Sequence, residues 1–466
     1  MAADTSSRLF RNAPGPDEMS AKDDMVWRLE SGRRARPIIV VVIIFDDDLP
    51  WEAFTTWHES LCSMMPRLRS RVAPGRGPRG RPYWVPDEGF SLAHHLQRVE
   101  VNGKGTRRDV FDTAELLAEI PFPQGRSPWN GYLISGLEGS KSAYLLKISH
   151  SVADGIRLRE IFLQQAAAAT ASPASSRAAA TDPWQVISPM PETGSNTPQA
   201  PPPPSSSPRG RRLTKAVRFL GRATADMLDL PRPVPPAGGQ FLRRFHTTTV
   251  PLAPVKHLAT ASGGTVHDAL VAAVMEGCRR YNARHGVQRR NIRVFSPYGR
   301  PPRASAHSPQ RQGNHWFIVR FAVPSTLPGI QDRIRAVRRA VHDSYDRDAA
   351  DWMGVMARLC PLLPRRLFEA VFLRLCATHD FVVSNMPGPA TAASIGGHPV
   401  GEVFAIAPTL GSAVTVTLMS YRNTCHITVN IDSTVIPDPD LAAEHICRSI
   451  EELVGQASAI GAVPRD

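Results

Sequence analysis

Residues 142–155 read SAYLLKISHSVADG. The opening seven, Ser142–Ile148, are rich in apolar and aromatic side chains and predict a strand. ISHSVADG follows, and Ile156–Ala169 then predicts a helix, so the polar segment sits at a strand-to-helix junction. His150, Asp154 and Gly155 form an H-x-x-x-D-G pattern there. Imidazole titrates near neutrality and can accept a proton from a hydroxyl. An aspartate four residues on can anchor the loop through an arginine or backbone amides, and a glycine permits a tight turn into the helix. The hexapeptide has two readings: a base held in an anchored loop, or a turn with a capping aspartate and an incidental histidine.

Outward from this junction, the chain alternates strands and helices. Trp129–Gly136 predicts a strand paired with Ser142–Ile148. PIIVVVIIF (Pro37–Phe45) is the longest apolar run. It has about half of the roughly 20 residues a spanning helix needs, so it predicts a buried strand. Leu49–Met65 has helical spacing of Leu49, Phe54, Trp57, Leu61, Met64 and Met65. Asp112–Ile120 predicts a short helix and residues 81–87 a short strand. Further on, Thr265–Gly286, Asp332–Tyr345, Leu363–Cys376 and Leu441–Leu453 predict helices. Val294–Pro297, His315–Val323 and Asp380–Ser384 predict strands, and Ala413–Tyr421 with Thr424–Ile431 a hairpin. Near Ser172 the composition turns to Pro, Ser and Ala, too poor in apolar surface to fold alone. The expected organisation is an N-terminal lobe over residues 16–171, a mobile linker over 172–212, a connecting helix over 213–243 and a C-terminal lobe over 244–466.

The 466 residues, 42% of them hydrophobic, are enough for two substantial domains. Six scattered cysteines without a C-x-x-C pair argue against a disulfide framework or a structural zinc site and fit a reducing compartment. The first twenty residues lack the apolar core of a secretory signal. The expectation is an intracellular, cytoplasmic chain. A net charge of +13 can attract nucleic acid, anionic headgroups or a phosphate-bearing substrate such as CoA, or can reflect a solvated, arginine-rich surface. No nucleic-acid motif or interleaved aromatic pattern is present, which leaves the other three.

Several segments, in order, resemble the wax ester synthase/diacylglycerol acyltransferase family, a branch of the CoA-dependent acyltransferases that carries HHxxxDG at the position of Ser149–Gly155. DEMSAKDDMVWRLE (17–30) resembles the family's start. RSPWNGYLISGLEG (126–139) resembles its R-P-L-W segment, with Trp129 at the tryptophan, and Asp182-Pro183-Trp184 its linker entry. GGTVHDALVAAVMEGCRRY (263–281) resembles its T-V-N-D-V helix. Gly313-Asn314, the S-N-x-P-G-P turn at Ser384–Pro389 and the late V-P-D-P turn at Ile436–Pro439 complete the set. The landmarks run from about residue 17 to 453.

The resemblance implies two similar mixed α/β lobes with a tunnel between them and the motif histidine at its middle. It implies transfer of an acyl group from acyl-CoA to diacylglycerol or a long-chain alcohol, as in triacylglycerol and wax ester synthesis, with no metal or bound cofactor. The expected setting is a peripheral membrane or lipid-droplet surface, without nucleic acid. His150 is then the catalytic base, and Asp154 and Gly155 support the motif. Ser149, His267, Asp268, Asn314 and Asn385 are the candidate substrate or oxyanion contacts. Bland readings stand beside these: Trp129 as a core aromatic, Asp268 as a helix cap, Asn314 as a strand-end backbone partner and Asn385 as a turn cap. The chain departs from the family at Ser149, which replaces its first histidine, at His267, which replaces the asparagine of its N-D pair, and in the P-L-W segment, which reads Ser127-Pro128-Trp129. Strand alternation turns residue 149 away from 150, so the base survives the first change. The alternatives are a related acyltransferase using another alcohol or a carrier-protein thioester, and a catalytically weak lipid-surface protein.

Overall fold

The computed structural model describes residues 17–30, 37–75, 80–155, 157–162, 242–299, 316–348 and 352–461. The expected linker and connecting helix, 172–243, lie almost wholly outside the described residues, as does Asn314.

Two six-stranded sheets carry the architecture. The first has the order β12 (Ser394–Ile395), β13 (His398–Ile406), β2 (Ile38–Phe45), β7 (Lys141–Ser149), β6 (Trp129–Leu137), β5 (Leu96–Glu100). The second has the order β10 (Trp316–Pro324), β9 (Asn291–Gly299), β11 (Phe381–Met386), β14 (Val414–Tyr421), β15 (Thr424–Asp432), β8 (Arg243–Pro251). Within each lies the same four-strand unit. In the first, β2 and β6 flank β7 antiparallel and β5 joins β6 parallel. In the second, β8 and β14 flank β15 antiparallel and β11 joins β14 parallel. The two similar lobes are therefore a repeat of topology. A small third sheet joins β1 (Asp17–Glu18), β4 (Tyr83–Pro86) and β3 (Ser70–Ala73).

Each sheet is covered on both faces, and β2 accordingly reads as a continuous apolar run, while β14 and β15 alternate apolar with buried polar residues. In β2, Ile39, Val41, Ile43 and Phe45 pack into one cluster with α2 (Trp51–Met64), and Ile38, Val40, Val42 and Ile44 into another with α3 (Arg107–Glu119). In the second sheet, Phe381 and Val383 face α5 (Val266–Arg284), α6 (Ile330–Asp348) and α9 (Pro439–Gly461), beside α4 (Leu252–Ala261). Val382, on the opposite face, packs against α7 (Trp352–Leu359) and α8 (Arg365–Cys376). Helix α3 starts five residues earlier than expected because Thr106 and Asp109 form a capping box, and Thr265 and Asp268 build the same device on α5.

The lobes are interlocked, which the division at the linker does not anticipate. Strand β13 comes from the C-terminal half yet completes the first sheet beside β2. In return α1 (Ala21–Glu30) sends Met25, Val26 and Leu29 into the cluster of α7 and α8. Trp129 is fully buried, donates from its indole to Leu68 O at 2.8 Å, and stacks on His95 at 4.6 Å. Among the described residues no helix is long and apolar enough to cross a membrane.

Candidate active site

The HSVADG loop begins where β7 ends. The backbone N–H of His150 still donates to Pro37 O, at 2.9 Å, on the β2 side. The chain then turns: the Ser149 hydroxyl accepts from Ser151 N–H at 3.1 Å, and Ser149 O accepts from Val152 N–H at 3.1 Å. Residues 157–162 are helical. Asp154, 4% exposed, accepts from the Arg157 N–H at 2.8 Å, and its carbonyl accepts from Leu158 N–H. Its carboxylate thus caps that helix. His150 itself is half-buried.

Arg67 braces the loop from behind. This buried guanidinium donates to Asp23 at 3.2 Å, to Asp17 at 3.3 Å and to the Ser151 carbonyl at 3.5 Å, and lies 5.3 Å from the Trp84 ring. Of the two expected anchors, a backbone amide holds Asp154, and Arg67 adds a hold on the backbone of Ser151. This gives the acidic pair of the DEMSAKDD segment a structural role. Asp23 orients Arg67, and Asp24 binds Arg28 at 2.7 Å.

From the other lobe, the end of β11 closes on the motif. A Cβ on Gly155 would lie 2.9 Å from the Met386 sulfur. Gly155 has no positive φ, so close approach across the lobes replaces the expected tight turn as the reason for the glycine. Arg159 donates through Nε to the Pro387 carbonyl, tying the motif helix to the SNMPGP turn. That turn is pinned on β14: Gly388 N–H donates to the Ser420 hydroxyl at 3.0 Å, and a Cβ on Gly388 would collide with Ser420 O. Asn385 is half-buried at this strand end and makes no side-chain hydrogen bond among the described residues.

His267 reaches the same strand from α5. Its Nε2 lies 3.0 Å from the Ser296 hydroxyl, which is 3.1 Å from Val383 O. The Ser296 hydroxyl thus lies between the His267 ring and the Val383 carbonyl, which can only accept. Burial pushes the His267 pKa down, favouring the neutral ring. His267 therefore packs against the strand that carries Val383 through Ser296. Asp268, 1% exposed, is consumed by the capping box, accepting from Thr265 N–H and hydroxyl at 2.8 Å each.

Ser149 is corrected as a substrate contact. It is fully buried, its hydroxyl pairs with the Glu30 carboxyl, and Ser151 Oγ lies 2.7 Å away. Burial raises the Glu30 pKa to about 8, against the opposing pull of the Ser149 hydrogen bond and the Lys147 charge. Lys147 is itself fully buried and donates to Leu117 O at 3.0 Å and to Ile120 O, at the end of α3. Glu30, Arg67, Arg159 and Met386 had no signal of their own in the sequence beyond lying near motif segments. A separate cavity of about 460 Å³ between the lobes is lined by Arg107, Arg108 and Phe111 on one side and His246, Asp440 and Cys447 on the other. It contains none of the motif residues.

The family patterns described as the wax ester synthase/diacylglycerol acyltransferase catalytic domain and the WS/DGAT C-terminal domain match residues 19–270 and 312–454. A protein of Mycobacterium tuberculosis H37Rv, whose name marks it as a proposed diacylglycerol O-acyltransferase, is 27% identical over 96% of this chain and 94% of its own. Among solved structures, the wax ester synthase/diacylglycerol acyltransferase from Marinobacter aquaeolei VT8 superposes with a TM-score of 0.62 at 17% identity, covering 95% of this chain and 100% of that one. The first condensation domain of the CDA synthetase superposes at 0.60 and 17% identity, covering 97% and 99%. The repeated lobes, the motif loop at their junction and the two consecutive family matches agree: the chain belongs to the wax ester synthase/diacylglycerol acyltransferase family.

Proposed function

We propose that this acyltransferase moves a long-chain acyl group from acyl-CoA to the hydroxyl of a diacylglycerol or a long-chain alcohol, with His150 as general base. The imidazole removes the acceptor hydroxyl proton as that oxygen attacks the thioester carbonyl. The tetrahedral intermediate collapses, and the imidazolium protonates the departing CoA thiolate. No residue of the chain needs to be acylated. Donors at the junction of the lobes hold the oxyanion, and the amide of Asn385, at the end of β11, is assigned as one of them. Asp154, Gly155, Arg67 and Arg159 position the base and do not touch substrate.

One observation carries the reading. The turn bearing His150 is fixed at Ser151 by Arg67, capped by Asp154 and tied by Arg159 to the end of β11. Such bracing on three sides is what a positioned base requires. We further place the reaction inside the cell, at a membrane or lipid-droplet surface. The acceptors are apolar, and the net charge is +13. The fold shared with a condensation domain supports a second donor class, a carrier-protein thioester.

The test is CoA release by purified enzyme with short and long acyl-CoA against hexadecanol and diacylglycerol. Turnover is expected with long-chain donors, and His150→Ala should lower it by about 10²–10⁴-fold in a folded protein. Near-normal turnover of that variant would overturn the mechanism. Absence of CoA release with every pair would favour the catalytically weak lipid-surface protein, and turnover confined to carrier-protein thioesters the second donor.

A further inference from the structure

We propose that the α7–α8 corner, residues 358–374, is the face by which this protein docks onto an anionic lipid surface. Leu362 is 58% exposed, Leu367 51% and Leu359 38%. Seven large hydrophobic residues are exposed among the described residues, and these three fall within nine positions. They cluster on one helix–turn–helix corner, whereas singly exposed leucines are ordinary.

The charges on this corner choose the occupant. Arg358, Arg365, Arg366 and Arg374 are exposed beside the leucines. The half-buried Glu369 is the one acidic residue from 352 to 374, against four exposed arginines. Arg365, Arg366 and Arg374 have no ion-pair partner among the described residues, unlike the exposed Arg335, Arg448 and Arg107, which pair with Asp332, Glu444 and Glu402; Arg71, Arg98, Arg284, Arg290 and Arg339 are likewise exposed without a paired acid there, but lie outside this corner. Apolar side chains ringed by unneutralised guanidinium groups fit a surface that is anionic at the headgroups and apolar below them.

The inner side of the corner is rigid. Phe368, Phe372 and Cys376 pack against Phe295, Ile318 and Val382 of the second sheet and against Met25 of α1. Val382 and Met386 share one face of β11 by strand alternation, and Met386 is the residue that meets Gly155. The docking face therefore covers the same side of the sheet on which the HSVADG loop arrives. An apolar acceptor delivered there enters on the side of the candidate site. This inference rests on the proposed lipid acceptor.

The experiment is flotation of the full-length protein with vesicles of phosphatidylcholine alone and of phosphatidylcholine with phosphatidylglycerol. Wild type is compared with the double variants Leu362→Asp/Leu367→Asp and Arg365→Glu/Arg366→Glu. Melting temperature and turnover of a short-chain, water-soluble acyl-CoA and alcohol are followed in parallel. The expected result is wild-type binding to the anionic vesicles, reduced at least tenfold in both double variants, with melting and soluble turnover unchanged. Variants that float like wild type would overturn the choice of face while leaving lipid association standing. Wild type that does not float with anionic vesicles would overturn the proposal outright, and its soluble turnover would still report separately on the acyltransfer reading. If wild type is a dimer in light scattering and both double variants are monomers, the face joins two copies of this chain and the lipid assignment fails.

Discussion

Ser149-His150-Ser151-Val152 and Asp432-Ser433-Thr434-Val435 are one turn built twice. In each, the last residue of a hairpin strand uses its side chain to accept the N–H two positions on: Ser149 from Ser151 at 3.1 Å, Asp432 from Thr434 at 2.9 Å. In each, its carbonyl accepts the N–H three positions on, at 3.1 Å. The intervening residue donates its N–H to the residue preceding the neighbouring strand, His150 to Pro37 and Ser433 to Leu242. A helix follows in both. Only the first turn carries an imidazole, and an arginine holds its backbone at Ser151, whereas the second has Arg243 beside the Asp432 carboxylate. The scaffold is thus common to both lobes, and the chemistry depends on the residue at one position and on its bracing. The comparison also explains Ser149: it closes the turn, as Asp432 does.

The sharpest way to break the comparison is to remove the imidazole. His150→Ala should cut CoA release by about 10²–10⁴-fold with the melting temperature unchanged, whereas Ser433→Ala should leave turnover near wild type. Equal losses in the two variants would mean that the turns do not differ in kind. Gly388→Ala comes next, because its Cβ would collide with a backbone carbonyl. It should destabilise by about 1–3 kcal/mol, while Gly155→Ala meets only the flexible end of Met386 and should cost less. Thermal melts of both rank them.

Glu30→Gln tests the buried carboxyl behind the first turn. With a folded pKa near 8 and an ordinary value of 4.5, the native state holds a proton that the unfolded chain releases across that window. The wild type should therefore lose stability as pH rises from 4.5 to 8 and then level off. Glu30→Gln, which can still accept from Ser149, should be more stable than wild type at about pH 8.5 by roughly 1–2 kcal/mol and no more stable at about pH 4.5. A pH-independent difference would refute the assignment. Asp154→Ala removes a helix cap and should cost about 1 kcal/mol, with turnover falling as the base loosens. The smallest effect is expected of Ser149→Ala: about 1 kcal/mol for the turn bond, with most turnover kept. A loss as deep as that of His150→Ala would restore Ser149 to the reacting centre.

The repeating hairpins are legible in the sequence because their periodicity is local: Trp129–Leu137 with Lys141–Ser149, and Val414–Tyr421 with Thr424–Asp432, lie beside one another in the chain. HPVGEVFAI, residues 398–406, is not legible as a strand. Its partner is Ile38–Phe45, more than 350 residues away, and Pro399 and Gly401 blur its pattern. FHTTTVPLAPV, residues 245–255, reads as one strand, whereas a helix begins at Leu252, its first turn tolerating Pro254. At the candidate site, His150 and Asp154 stand out because a motif spans five positions. Arg67 and Glu30 do not, since only tertiary contact brings them to Ser151 and Ser149. His267 is visible as a residue, but its role depends on Ser296, which carries no motif.

The exchange of β13 for α1 between the lobes sets a schedule for synthesis. When the ribosome has finished residue 171, the first sheet still lacks the strand that covers one edge of Ile38–Phe45, and more than 220 residues must be made before that strand emerges. Until then a fully apolar strand offers an open edge to any extended chain nearby, the condition under which nascent proteins aggregate or recruit chaperones. A gene cut at the linker should accordingly yield an insoluble first half, and co-expression of the two halves should recover it to the extent that residues 394–406 find their place.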